Sequence, residues 1–85
     1  MSAWETAGDG RWVRDNDDRH LLLHAGGRLV ELHGVFVHVY TAAADMDPAN
    51  PLGGAAHQAT HDRPDLETAG QEQLWQAMTE YGEAP

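Results

Sequence analysis

Gly26 and Gly27 stand between two apolar runs, HLLLHA at 20–25 and RLVELH at 28–33, and this pairing restricts the folding of the 85-residue chain more than any other feature. Both central residues of a two-residue type I′ turn need positive φ, which glycine adopts without steric cost, so the pair predicts a β-hairpin. A two-residue loop also sets the register. Ala25 falls opposite Arg28, His24 opposite Leu29, Leu23 opposite Val30, Leu22 opposite Glu31, Leu21 opposite Leu32 and His20 opposite His33. Alternation then sorts the side chains. One face carries Leu21, Leu23, Val30 and Leu32 and is the core side; the other carries His20, Leu22, His24, Leu29, Glu31 and His33.

VFVHVYTA at 35–42 is the most β-prone stretch, with valines alternating against Phe36, His38 and Tyr40. Straight continuation through Gly34 would place those valines on the histidine side. Either a tight turn at His33-Gly34 or a bulge at Gly34 returns them to Val30 and Leu32, and the turn, which makes a meander, is favoured. Upstream, RWVR at 11–14 is a short strand and DNDD at 15–18 a turn, because Asp and Asn side chains bond nearby backbone amides. Residues 1–10 read as a loose N-terminus with Trp4 as the anchor.

Residues 42–63 hold two prolines, a second Gly-Gly pair and few apolar side chains, and read as a long mobile loop. At 64–82 the pattern becomes helical. Pro64 suits a first turn, Asp65 and Glu67 suit the positive end of the helix dipole, and Leu66, Ala69, Leu74, Ala77, Met78 and Tyr81 recur at helical spacing. Thr68 and Gln71 form a capping-box pattern, so the start lies near 64 or at 69, and Gly82 reads as the stop before a frayed tail. The expected architecture is a single small α+β domain: a three- to four-stranded antiparallel sheet over 11–41 with one C-terminal helix on one face.

Leu, Val and Phe number fourteen and isoleucine is absent, so the sequence predicts one small core and no second one, with the three tryptophans as partial compensation. Trp75 reads as core and Trp12 as a cap on the sheet. The absence of cysteine excludes disulfides and thiolate zinc sites. A formal charge of -9, with no lysine, opposes binding to nucleic-acid phosphates or anionic membranes. No apolar run is long enough for a transmembrane helix and the N-terminus lacks signal-peptide regions, so a soluble, cytoplasmic protein is expected.

Histidines are the notable chemical resource. His20 and His24 lie four apart on a strand, hence about 13 Å between Cα atoms, too far to share an ion. His20 and His33, directly opposite with Cβ atoms about 4.5–5.5 Å apart, are better placed for a divalent metal such as zinc, with Glu31 diagonal to them. His57 and His61 would share a face if HQATHD were helical, although the HExxH glutamate is missing. Weighed against metal binding is the plainer reading of half-exposed strand imidazoles and a solvated loop. Catalysis is not expected: Ser2 is the one serine, cysteine and lysine nucleophiles are absent, and neither Gly-Gly pair is followed by a phosphate-loop lysine.

With a helix on one side, the second sheet face should stay open and show Leu22, Leu29, Phe36, His38 and Tyr40, a mixed aromatic surface of the kind that marks a partner site. The expected function is therefore a small acidic protein-protein interaction module acting as accessory subunit, oligomeric adaptor or inhibitor of a basic partner, without a cofactor. A histidine-based metal-binding protein using His20, His33, His57 and His61 is the alternative.

Overall fold

The Gly26–Gly27 hairpin forms in the computed structural model of the chain, which describes residues 4–15 and 17–83, with φ of 60° and 78° at the two glycines. Its register runs from Ala25 opposite Arg28 to His20 opposite His33, as the two-residue loop requires. The next reversal is also a two-residue turn. His33 pairs with Phe36, so the turn is Gly34-Val35 rather than His33-Gly34, and Gly34 supplies the positive φ of 68° at its first central position. Leu32 then faces Val37 and Val30 faces Val39, which returns the valines to the leucine side.

The strands are β1 (Trp4–Gly8), β2 (Arg11–Arg14), β3 (His20–Ala25), β4 (Arg28–His33), β5 (Phe36–Thr41) and β6 (Ala56–Asp62). They form one antiparallel sheet in chain order, so the sheet has six strands where the sequence predicts three or four. Both additions are edge strands. β1 lies in the segment read as loose and β6 in the segment read as loop. Neither has the alternating large apolar residues of an inner strand, because an edge strand is held largely by backbone bonds to one neighbour. The expected looseness of residues 1–3 and fraying of residues 84 and 85 lie outside the described residues.

After β6, Pro64–Leu66 makes a separate 3₁₀ turn, and helix α1 spans Gln71–Glu83. The helix thus begins later than either predicted start. Gly70 accepts the first intrahelical bond from Leu74 N–H, and Gln73 Oε1 accepts Gly70 N–H, so the capping is done from Gly70 and Gln73 rather than Thr68 and Gln71. Gly82 does not stop the helix. It lies buried within it, where a Cβ would sit 3.0 Å from Ala25 Cβ, so glycine lets the last turn rest on the β3–β4 hairpin. Arg28 Nη1 donates to Tyr81 O at 3.3 Å there, a cation at the negative end of the helix.

One sheet face packs Leu21, Leu23, Val30, Leu32 and Val37 against Leu66, Leu74, Trp75, Ala77 and Met78. Arg19 secures this layer from its edge, donating to the carbonyls of Gly34, Leu66 and Ala69. The second face is covered too. Trp12, Leu22 and Leu29 form a second apolar cluster, packed against Trp4, Tyr40, Ala42, Met46, Leu52 and Ala55. Its cover is the 42–55 segment, a chain of tight turns closed by Met46 N–H to Ala43 O, Asn50 N–H to Asp47 O, Gly53 N–H to Asn50 O and Ala55 N–H to Leu52 O. Trp12 Nε1 donates to Pro48 O at 3.1 Å and pins the segment to β2. The single core expected from composition is therefore two apolar clusters on opposite faces of one sheet, and Trp12 belongs to the second.

Candidate functional site

Coverage by residues 42–55 is partial. The segment joins the end of β5 to the start of β6, so it lies over the Leu29 end of the face; at the other end Trp4 and His33 pack on His20, and His33 and Phe36 are exposed. Leu22 and Leu29, expected on the open face, are fully buried. The surface that remains is narrower and more polar than the sequence implies. It carries Trp4, Arg14, His20, His33, Phe36 and His38 with the side chains of β6 beside them, and Phe36 is the exposed large hydrophobic residue among those described, at 48%.

At the centre of this face Glu31 is 9% exposed and accepts two hydrogen bonds. His20 Nε2 lies 2.8 Å from Oε2, and Tyr40 donates its hydroxyl to Oε1 at 2.9 Å. Strand alternation explains the grouping. Glu31 pairs with Leu22 on one side and His38 on the other, while His20 and Tyr40 lie one pleat away in opposite directions on neighbouring strands. Burial, then the bond to Glu31 and its negative charge, push the Tyr40 phenol up from 10.0 to about 12. The carboxylate is thus held between a phenol and an imidazole, both its oxygens occupied.

His20 and His33 are neighbours as the register requires, but their rings stack face to face, centroids 4.1 Å apart and planes within 12°. Imidazole lone pairs lie in the ring plane, so parallel rings aim their nitrogens side by side and not at a common point. Trp4 closes on His20 edge-on at 4.9 Å, and the Arg14 guanidinium lies 5.6 Å from the Trp4 ring centre. Trp4 does act as an anchor, by way of this stack.

His57 and His61 part company. HQATHD is strand and not helix, and a bulge interrupts its pairing: His57 is opposite Tyr40 while Ala59 is opposite Val39, leaving Gln58 as the extra residue. His57 therefore lies on the Glu31 side of the sheet. His61, opposite Val37, lies on the helix side and stacks on Tyr81 at 4.7 Å. Beside that stack Arg63 forks onto both oxygens of Asp65 and donates to the Tyr81 hydroxyl at 2.8 Å. The expected four-histidine set is thus divided between two faces, and among the described residues no three or more histidine and carboxylate side chains are grouped to hold an ion.

The bulge makes another pairing that the sequence conceals. His38 Nδ1 and His57 Nε2 each lie 2.9 Å from Thr60 Oγ1, with ring centroids 5.9 Å apart. No sequence signal marks Gln58 as the bulged residue, so this convergence was not readable there.

Charge is distributed with equal asymmetry. Thirteen of the fourteen carboxylates are exposed, Glu31 being the exception. The five arginines are engaged within the chain: Arg11 over Trp75, Arg14 over Trp4, Arg19 and Arg28 on backbone carbonyls and Arg63 on Asp65 and Tyr81. No helix among the described residues is long and apolar enough to cross a membrane.

A six-stranded antiparallel meander with one helix on its first face and a turn-rich segment over half of its second defines an α+β architecture. Comparison with protein-family models, with curated proteins and with solved structures finds no match.

Proposed function

We propose that this chain is a small acidic protein-protein interaction module, an accessory subunit or inhibitor that meets a basic partner through the open half-face around Phe36. The observation that carries the reading is the charge arrangement. Each guanidinium is occupied by a ring, a carbonyl or a carboxylate of the chain itself, while thirteen carboxylates face solvent. Such a surface steers a basic protein toward it and repels a second copy of itself, which favours a hetero-partner over self-association. Phe36 supplies an apolar anchor, flanked by His33 on β4 and Asp62 on β6, its two cross-strand neighbours.

The test uses the immobilised full chain against extract of its native cell, beside a Phe36→Asp variant. A basic protein retained at about 0.1 M salt should be released near 1 M, where the Debye length falls from about 10 Å to about 3 Å. The variant should hold at least tenfold less of it. Retention indifferent to both salt and Phe36, or light scattering that shows the isolated chain as a tight homo-oligomer at low salt, overturns the reading.

A further inference from the structure

We propose that His38 and His57 form a two-histidine site for a borderline transition-metal dication, with the Thr60 hydroxyl occupying the point the ion would take. This inference stands apart from the contact-surface reading and uses a pair of histidines that sequence spacing does not unite.

The geometry begins with the bulge. His38 on β5 pairs with Thr60 on β6, and the extra residue Gln58 turns His57 onto the same sheet face. The rings are tilted by 56° and present one nitrogen each, Nδ1 of His38 and Nε2 of His57, to the same oxygen at 2.9 Å. A hydroxyl has a single proton, so it donates to one imidazole and accepts N–H from the other. Whichever tautomers are present, two in-plane nitrogen directions meet in one small volume. Chelation requires this, and the parallel His20 and His33 rings lack it.

Conversion to a metal site needs modest changes. Rotation of Thr60 about χ1 vacates the meeting point, and one imidazole moves its proton to the other ring nitrogen. Metal–nitrogen bonds of about 2.0–2.1 Å in tetrahedral geometry place two nitrogens about 3.3 Å apart, so the rings close by on the order of 1–2 Å. His57 and Thr60 are exposed and His38 is only partly buried, which leaves room for that movement.

Donor chemistry selects the ion. Two imidazoles suit Cu2+, Ni2+ and Zn2+, whereas Mg2+ and Ca2+ require oxygen ligands. Glu31, the nearby buried carboxylate, already has both oxygens bonded to His20 and Tyr40. Water fills the remaining positions.

The full chain, stripped with chelator, is titrated separately with CuCl2, NiCl2, ZnCl2 and MgCl2 by calorimetry, with imidazole NMR as the second readout. One ion per chain is expected, Cu2+ tightest by the order of divalent affinities and Mg2+ not bound. With diamagnetic Zn2+ the His38 and His57 resonances should shift together while those of His20, His33 and His61 stay. His38→Asn and His57→Asn should each weaken binding at least tenfold, and Thr60→Val should preserve it. Circular dichroism of each variant confirms that the sheet persists. Absence of saturable Cu2+ binding up to about 1 mM, or binding that survives the double His38→Asn/His57→Asn variant, overturns the proposal.

Discussion

The helix and the 42–55 segment cover opposite faces of the same sheet by different means. α1 satisfies its backbone internally and needs only a stripe of Leu74, Trp75, Ala77 and Met78 to seat on five aliphatic strand residues. The 42–55 segment satisfies part of its backbone turn by turn, contributes Met46, Pro51 and Leu52 without periodicity, and is fixed by one side-chain bond from Trp12. The regular cover extends the length of its face. The irregular one stops halfway, and the polar network around Glu31 begins where it stops. A sheet can thus have one face devoted to stability and a second divided between stability and exposure.

The comparison breaks first at the leucines. Leu32→Ala under the helix and Leu29→Ala under the segment should each lower the unfolding free energy by about 2–5 kcal/mol in urea titration, because both side chains are fully buried. A cost below about 1 kcal/mol for Leu29→Ala alone would show that the second face is only loosely covered. Glu31→Leu ranks next. It strips the acceptor from the Tyr40 hydroxyl and from His20, for a loss of about 1–3 kcal/mol that Glu31→Gln should partly restore.

The same network gives a pH signature. A folded-state pKa raised from 10.0 to about 12 means the neutral Tyr40 phenol contributes stability that is fully present below 10.0 and is lost as pH climbs toward about 12. Tyr40→Phe should remove that part of the alkaline decline, and ultraviolet phenolate titration should show a late ionisation that is absent from the Tyr40→Phe variant.

Trp12→Phe sharpens the contrast between the covers. Losing the bond to Pro48 O should cost about 0.5–1.5 kcal/mol and accelerate amide exchange in the 46–53 segment, with the amides of α1 unchanged. Phe36→Ser should change stability least, within about 0.5 kcal/mol, since that ring is exposed. A larger loss would place Phe36 in the structural half of the face.

The central part of the fold was legible because Gly26-Gly27 sets the register of β3 on β4 and Gly34 returns the valines of β5 to the leucine face, although the second turn stands at Gly34-Val35 and so pairs Leu32 with Val37. The edges were not. AHQATHD has no large apolar residue, so its strand character comes from backbone bonds to β5, which leave no periodic mark. The 42–55 cover was hidden because turns bury apolar side chains at irregular spacing, and so Leu22 and Leu29 appeared open. At the candidate site the sequence placed His20 beside His33 correctly but was silent on ring orientation. The bulge at Gln58, which separates His57 from His61 and brings it to His38, turns on a single unpaired residue.

Strand order has a consequence for synthesis. The six strands follow one another in the chain and α1 comes after all of them, so the residues that cover the first face are the last to leave the ribosome. Until α1 docks, Leu21, Leu23, Val30, Leu32 and Val37 lack the helical half of their cover. A stalled or C-terminally clipped product lacks it permanently, and chaperones and degradative proteases would read the uncovered residues as a sign of unfinished manufacture.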